Sequence, residues 1–340
     1  MSGKRFPGWM PQILTLLLCT WLVALTHHAQ ARKPPAGQSP PQTAKIRAEV
    51  GLVQTDILAR QGRFDDQRTR PVVDMSREEL LLAYPEQMRG LDFGDPPPDF
   101  SSFLASTGEK VEAFFKDLPK ILSREQVRFE RLDSGGKLQD STTRTYYYSF
   151  SPDKTGAYWE EARTETSGRP IESTKIFGFS LAPGRTGMTA FLHPRHQPHC
   201  RFRFLGTQKV DAAEASVIAF AQKPEDRDYL GYYLNETMVE PLPVLYQGFV
   251  WVDPATHQIV RMQIDLLEPR SDVGLTRQTS EIWFSEVRFK SSPEPFWVPR
   301  EVLITTTAFG FTYRNRHRYS DYQIFTVSVE EKITLPPVKK

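Results

Sequence analysis

The stretch "GFVWVDPATHQIVRMQIDLLEP", residues 248–269, decides the fold of this chain. A continuous apolar run ends at Val252, apolar side chains recur at every second position from Val260 to Leu266, and the Asp-Pro between them is typical of a turn. The stretch therefore predicts an antiparallel hairpin, with one strand ending at Val252 and a second strand returning after the turn. Along the returning strand the alternation predicts that four apolar side chains share one face: Val260, Met262, Ile264 and Leu266.

The same two-residue rhythm continues through most of the chain beyond Pro119. Segments such as "REQVRFERL", "CRFRFLG", "SEIWFSEVRF" and "FWVPREVLITTTAF" place apolar residues at alternate positions. About nine strands, with short connections and no helix between most of them, predict an antiparallel sheet. Because alternation gives such a sheet one apolar face, that face must be covered. We therefore predict an α+β fold, in which a strongly curved antiparallel sheet forms an open half-barrel covered by a few helices.

Three helices are predicted before the strands begin. Apolar residues at spacings of three and four indicate an amphipathic helix within residues 44–60. "SREELLLAY" begins with Ser76 and has Glu79 three positions later, the pattern of a helix capping box. In "STGEKVEAFFKDLP" the apolar residues share one helical face, and Pro119 ends the helix. These early helices are the available cover, so we expect the sheet to wrap around one or more of them.

The N-terminus has the three-part pattern of a secretory signal peptide. Lys4 and Arg5 precede an apolar run over residues 13–25, and small residues predict cleavage after Ala31. The predicted organisation is a signal peptide at 1–31, a proline-rich flexible linker at 32–45, an N-terminal helical segment at 46–99 and a half-barrel domain at 100–340. We therefore expect a periplasmic or secreted protein that is not integral to a membrane after cleavage.

Charge disfavours a nucleic-acid partner, and cysteine content excludes an intramolecular disulfide. The chain has 43 Lys and Arg against 41 Asp and Glu, and cleavage removes two of the positive charges, so the mature net charge is about zero. A neutral chain has no overall field that attracts nucleic acid, so no nucleic-acid partner is predicted. Cleavage also removes Cys19 and leaves Cys200 alone, which excludes an intramolecular disulfide.

The histidine-rich stretch "FLHPRHQPHC", residues 191–200, is the strongest candidate for a metal site. His193, His196 and His199 are spaced by three and stand beside Cys200. The stretch lacks the close ligand pairs that pre-form zinc sites, and adjacent residues such as His199 and Cys200 point to opposite sides of an extended chain. We therefore predict a loop that feeds a strand, and no bound metal.

Other motifs that suggest chemistry are equally weak. "GFSLA", residues 178–182, lacks the final glycine of a nucleophile elbow, and Asp253 is explained by its turn. The basic cluster "RNRHR", residues 314–318, is predicted to be a solvated hairpin tip between two strands, with contact to lipid phosphate or an acidic partner as the alternative. No catalytic residue and no cofactor is predicted, so the chain is not expected to be an enzyme.

Several segments carry a resemblance to known proteins: "VEAFFKDLP", "FGFSL", "FRFLG", "YQGFVWVDPATHQIVRMQ", "WVPREVLI" and "YSDYQIF". Their order resembles a family of secreted proteins from Acidobacteria-type bacteria. The hairpin also resembles the sheet of the periplasmic LolA, LolB and RseB group of lipoprotein carriers and sensors. That resemblance implies an open half-barrel of antiparallel strands, closed by helices around an apolar cavity that accepts acyl chains or a partner protein.

The leading hypothesis is a non-enzymatic periplasmic carrier that binds an acyl chain or a lipoprotein in the half-barrel groove. Val260, Met262, Ile264 and Leu266 would then line the groove or the core beneath it. One alternative is an envelope sensor or protein-interaction module that uses the sheet edge and loops, which is favoured if the protein's own side chains fill the cavity. The other alternative is a hydrolase, for which no supporting residue is found.

Overall fold

The structure is a computed structural model, and it describes residues 70–152, 159–169, 186–211, 213–226, 230–233, 242–290, 292 and 294–324. The predicted signal peptide, linker and first helix, as well as "GFSLA", lie outside these ranges. All of the described residues belong to one compact unit, Gly51–Lys340. None of the described helices is long and apolar enough to cross a membrane.

Two α-helices, several short 3-10 helices and thirteen strands are formed by the described residues. The helices are α1 (Arg77–Ala83) and α2 (Phe100–Asp117), and the 3-10 helices are Val72–Asp74, Thr186–Leu192, Gln197–His199, Pro224–Asp226 and Ser271–Val273. The strands are β1 (Asp92–Phe93), β2 (Ile121–Leu132), β3 (Leu138–Pro152), β4 (Trp159–Glu165), β5 (Cys200–Val210), β6 (Ala213–Gln222), β7 (Gly231–Tyr233), β8 (Leu242–Val244), β9 (Tyr246–Val252), β10 (Ile259–Leu266), β11 (Leu275–Val287), β12 (Phe296–Ala308) and β13 (Phe311–Ile324).

The helix α1 begins where the sequence predicts, whereas α2 ends at the predicted place but begins six residues before the predicted segment of residues 106–119. At the start of α1 the Ser76 hydroxyl accepts from the Glu79 amide at 3.2 Å, and the Glu79 carboxylate accepts from the Ser76 amide at 2.5 Å. This is the predicted capping box, in which two free amides at the helix start are satisfied. The second helix, α2, ends at Asp117, just before Leu118 and Pro119.

Eleven of the strands form one antiparallel sheet, in the order β1-β5-β6-β9-β10-β11-β12-β13-β2-β3-β4. The remaining two, β7 and β8, form a separate ribbon. Because β1 and β4 are the two edges of the large sheet and do not pair with each other, the sheet is open. The predicted α+β class is confirmed, and the sheet is wider than the nine or so strands that the sequence patterns indicate.

The hairpin of residues 248–269 is confirmed as β9 and β10. Val252 pairs with Ile259 across the turn, and the Asp253 carboxylate accepts from the amides of Ala255 and Thr256 at 2.8 and 2.9 Å. Asp253 is therefore a turn residue, since its side chain is used by the local backbone.

The sheet curves around α2. At one end of this helix the Phe100 ring contacts Phe204 of β5, and near the other end Phe114 contacts Phe150 of β3, with ring centroids 5.8 and 6.2 Å apart. Eight strand spacings separate β5 from β3, which is about 38 Å across a flat sheet, whereas Phe100 and Phe114 are about 21 Å apart along the helix. The helix therefore lies across the concave, inner face of a bent sheet.

Among the residues that the structure describes, the cover on the opposite, outer face lies at the end that contains β5, β6 and β9. There the 3-10 helix Val72–Asp74 and α1 bury Val72, Val73 and Leu80 against Phe249 and Trp251. Consecutive residues of β6 are buried alternately against this layer and against the inner-face core, so this strand has no exposed face along most of its length. The N-terminal helical segment thus covers the outside of the sheet, while α2 covers the inside.

Buried glutamines attach this outer layer to the sheet. The Gln247 side-chain oxygen accepts from the Val72 amide at 2.8 Å, and the Gln208 side chain donates to the carbonyls of Gln87 and Arg89 while it accepts from the Trp251 indole. Backbone groups of the irregular segment are thereby satisfied without water, which is what burial of such a segment requires.

Two details of the strands differ from the sequence predictions. A β-bulge between Ile259 and Arg261 breaks the alternation, so that Val260 packs with the outer-face cluster while Met262, Ile264 and Leu266 face the inner core. The four residues therefore do not share one face.

The basic cluster at residues 314–318 lies within β13, paired on both sides, and is not a hairpin tip. The residues of the cluster that face inward are buried. Strand β13 begins about nine residues before the start of the strand that the sequence pattern predicts.

Gly248 permits close approach of β9 and β10 in the deciding hairpin. A Cβ at this position would lie 1.9 Å from the backbone oxygen of Gln263 on the neighbouring strand. This oxygen belongs to the paired backbone, so it cannot move away unless the sheet itself shifts. This explains why a glycine stands within a strand that is otherwise apolar and large.

We therefore expect Gly248→Ala to destabilise the protein by at least about 3 kcal/mol, because either the pairing or the strand path must change. Urea unfolding measures the change. The control is Gly135→Ala in the exposed β2–β3 turn, where the added Cβ meets only the Asp133 carboxylate at 3.4 Å; this variant should stay within about 0.5 kcal/mol of the wild type. Equal stabilities for the two variants would contradict the close approach.

Candidate ligand-binding site on the concave face

The inner face of the sheet has an apolar floor. Met262 and Ile264 are almost completely buried, and Leu266 is nearly so, in a continuous cluster with side chains of the neighbouring strands and of α2. The helix contributes Val111 and Phe115 as fully buried residues and packs four others at the margin: Phe100, Phe103, Leu104 and Phe114. Three of the four predicted groove residues thus belong to the same inner-face cluster as the helix.

A single polar clamp fixes the middle of α2. The Gln197 amide group donates to the carbonyls of Leu104 and Leu192, at 2.9 and 2.7 Å. Gly108 lies directly against it: a Cβ there would be 2.5 Å from the Gln197 nitrogen and 2.8 Å from the Leu192 oxygen. The absence of a side chain at Gly108 is therefore what lets the segment of residues 186–199 approach the helix.

The histidine-rich stretch has a structural role through Gln197 and Cys200. It forms turns and the 3-10 helix Gln197–His199, then enters β5 at Cys200, which confirms the predicted loop leading into a strand. His193 packs against Phe115, and this burial, together with the charge of neighbouring His196, lowers the pKa of His193. His199 turns away to Asp226, at 3.1 Å. Across the part of the chain that the structure describes, no group of three or more His, Cys, Asp or Glu is placed to hold a metal ion.

Gly108→Ala is expected to destabilise the protein by roughly 1–3 kcal/mol, although alanine is intrinsically the better helix residue by about 1 kcal/mol. The reason is the contact of the new methyl group with Gln197 and the Leu192 carbonyl. Urea unfolding of Gly108→Ala, Gln197→Ala and the double variant forms a mutant cycle. Because Gln197→Ala removes the nearest obstructing atom, the double variant should lose less than the sum of the two single losses.

The exposed neighbour Glu109→Ala serves as the control for that cycle and should stay within about 0.5 kcal/mol of the wild type. A stabilising Gly108→Ala, or strictly additive losses, would show that the helix does not rest on this clamp.

A small apolar gap lies between α2 and the sheet. It has a volume of about 30 Å³ and is lined by residues that include Val111, Phe114, Ile259, Phe284 and Trp297. Pockets for small molecules usually measure about 300–1,000 Å³. This gap therefore admits an acyl chain only if α2 or the side chains around it move.

The other half of the inner face carries a buried ionic cluster. Glu125 of β2 accepts two hydrogen bonds from Arg163 of β4, at 2.5 and 2.9 Å, and its carboxylate contacts the His317 ring nitrogen of β13 at 2.8 Å. The guanidinium of Arg163 also lies 5.1 Å from the centroid of the Tyr148 ring. The three residues are almost completely inaccessible to water.

Burial opposes ionisation of Glu125, but the charge of Arg163 and the hydrogen bonds from Arg163 and His317 outweigh it and hold the pKa of this carboxyl well below its ordinary value. Burial, and then the negative charge of Glu125, raise the pKa values of Tyr319 and Tyr322 well above the ordinary value. Glu125 is therefore an ionised carboxylate whose lone pairs are occupied. Such a group joins β2, β4 and β13 and is not available as a general acid.

Sequence analysis missed this cluster, although one signal was present. In "REQVRFERL" Glu125 stands two residues before Val127 and four before Phe129, so the alternation places its charge on the inward face. An inward charge in a strand requires a buried partner. The identity of the partners, Arg163 and His317, is set by strand pairing over long sequence distances and leaves no local pattern.

Glu125→Gln should destabilise the protein by about 3–5 kcal/mol at pH 7, because Arg163 stays buried without its counter-charge. The folded-state pKa of Glu125 is below the unfolded one, so its contribution is complete above pH 4.5 and declines as the pH falls below that value. The gap between wild type and variant should therefore narrow in acid. Urea unfolding at pH 7, 5 and 3 measures it, with Glu165→Gln, in an exposed pair with Arg169, as the control. A gap that is constant from pH 7 to pH 3 would contradict the ionised state.

The comparisons with known proteins give structural neighbours only. No family model and no curated protein matches the chain. Similar solved structures include a putative outer membrane lipoprotein-sorting protein domain from Vibrio parahaemolyticus, with 12% identity, a TM-score of 0.37 and coverage of 68% of this chain and 95% of that one.

Two further structures are similar over comparable lengths. A LolA superfamily protein from Nitrosomonas europaea has 10% identity, a TM-score of 0.32 and coverage of 66% and 94%, and a DUF1329 family protein from Desulfovibrio piger has 12% identity, a TM-score of 0.37 and coverage of 68% and 94%. The group that the hairpin resembles is thus represented among the structural neighbours. The Acidobacteria-type family stays a prediction.

Proposed function

We propose that this protein is an exported, non-enzymatic carrier that holds an apolar ligand, the acyl chain of a lipid or lipoprotein, between α2 and the inner face of its sheet. The observation that supports the proposal is an amphipathic helix laid across the concavity of an open sheet, with large aromatic side chains along its margin. Met262, Ile264 and Leu266 form the floor of the proposed groove. Val260 is left out, because the bulge turns it to the outer face.

Side chains of the protein itself pack between α2 and the sheet, so binding requires α2 to be displaced. The helix is held by apolar contacts, which are not directional, and by the polar clamp at Gln197. An acyl chain that enters would replace those contacts with similar ones, at about 0.8 kcal/mol for each buried methylene group. Displacement of the helix therefore exchanges one apolar surface for another, and a chain of moderate length can offset the lost contacts.

Titration of delipidated protein with a fluorescent fatty acid tests the proposal. We expect saturable binding, with Phe114→Ala binding roughly tenfold more tightly, since this half-buried ring borders the residual gap and its removal enlarges the space beneath the helix. Leu82→Ala on the outer helix α1, where the side chain is 85% exposed, is the matched control and should bind as the wild type does.

Absence of saturable binding in both the wild type and Phe114→Ala would rule out the carrier function. Weaker binding by the Leu82→Ala control would show that fatty acid adheres to the surface of the protein.

A second function, an envelope sensor or protein-interaction module, is favoured by the filled groove. In that case recognition would use the sheet edge at β4 and the adjoining loops, and the inner face would serve only as a core. Mass spectrometry of the protein purified from its host separates the two functions: co-purified lipid supports the carrier, whereas a stoichiometric protein partner without lipid supports the interaction module.

A further inference from the structure

Five arginines lie close together on the outer face of the adjacent strands β2 and β13. Neither α1 nor any other described helix covers the sheet there. They are Arg124, Arg128, Arg314, Arg316 and Arg318, and we call them the outer arginine strip. Strand register places Arg128 directly opposite Arg316 and sets Arg318 opposite Gln126. Because residues 125, 127 and 129 are buried on the inner face, the alternate residues of β2 must point outward.

The strip has more positive charge than its acidic neighbours neutralise. Glu130 pairs with Arg128 at 2.9 Å and with Arg314 at 2.5 Å, and Glu301 pairs with both Arg316 and Arg318. Each carboxylate is thus shared by two guanidinium groups, and three positive charges remain in excess. Arg124 makes no ion pair with any residue that the structure describes.

Such an arrangement favours an external anion. Like charges directly opposite each other on neighbouring strands repel, and here Arg128 faces Arg316. The side chains of Arg128 and Arg318 are more than half exposed, so their donors remain accessible. The planar fork of a guanidinium group matches the paired oxygens of phosphate as well as those of carboxylate, so the strip suits either anion.

The space between the arginine side chains is large enough for phosphate groups. A solvent-open groove of about 400 Å³ runs between Arg128, Arg314 and Arg316, and a second of about 250 Å³ continues it to Arg124. The two share Gln126 and Arg318, so they form one trough along the strand pair, about 20 Å long. The larger groove is lined entirely by polar and charged side chains.

The polar lining and the neighbouring tyrosine decide between possible occupants. A peptide anchored by apolar side chains would need apolar pockets, and the larger groove has none. Tyr147 of β3 lies opposite Arg124 and is 43% exposed on the same face, and tyrosine is enriched where proteins meet the headgroups of a bilayer. We propose that the outer arginine strip docks this protein onto an anionic phospholipid surface, with its guanidinium groups on lipid phosphates. This docking is independent of the acyl-chain groove on the opposite face.

Co-sedimentation of the full chain with vesicles tests the docking. We expect binding to phosphatidylcholine vesicles that contain about one third phosphatidylglycerol, little binding to pure phosphatidylcholine, and release at about 1 M salt, where the Debye length falls to about 3 Å. An arginine near an anionic surface contributes a factor of about five in affinity. Arg128→Gln/Arg316→Gln should therefore weaken binding roughly 25-fold.

The matched control is Arg89→Gln/Arg288→Gln, which removes the same charge from two exposed ion pairs elsewhere on the molecule. It should leave vesicle binding within about twofold of the wild type. Arg124→Gln, which breaks no ion pair with the residues that the structure describes, should weaken binding about fivefold.

Three results would overturn the proposal: no binding to anionic vesicles, equal weakening by the control and strip variants, or full displacement by inorganic phosphate at matched ionic strength, which would indicate a site for free phosphate. Preferential binding of polyglutamate over anionic vesicles would do the same in favour of an acidic protein partner. Because the assay contains no fatty acid, its failure leaves the proposed carrier function standing, and the reverse also holds.

Discussion

The contact between α2 and the concave face of the sheet is the constraint on which the rest of the structure depends. The open sheet of eleven strands has an apolar inner face, and among the described residues α2 and the 3-10 helix Thr186–Leu192 pack against it. The phenylalanines of α2 reach from β5 to β3, so the helix determines how far the two ends of the sheet are drawn together. The same contact closes the proposed groove. The contacts that stabilise the fold must therefore be broken before a ligand can enter.

The two faces of the sheet divide the chemistry of the molecule. The inner face is apolar beneath α2 and changes to a buried ionic cluster at β2, β4 and β13, where Glu125 holds Arg163 and His317. The outer face is covered by the N-terminal segment at one end and exposes arginines at the other. A chain whose overall charge is near zero therefore still concentrates positive charge in one place, because net charge says nothing about how the charges are distributed.

Sequence patterns predicted the hairpin, the capping box, the second helix and the α+β class, since each depends on residues that are close in the chain. The same patterns failed at Val260, where one extra residue in β10 reverses the alternation, and at residues 314–318, where charged outward positions of a long strand resemble a loop. Both failures have one cause: alternation shows which residues share a face only while the strand is regular and its limits are known.

The sequence by itself therefore determined the local elements and the need for a covered, bent sheet, because turn chemistry and alternation act over a few residues. Tertiary structure alone decided that β13 pairs with β2, and this pairing joins Glu125 to His317 on the inside and Arg128 to Arg316 on the outside. It also decided that α2 fills the groove. The physical reason is that pairing between distant strands and the packing of a helix into a concavity depend on the free energy of the whole assembled core, which no short stretch of residues contains.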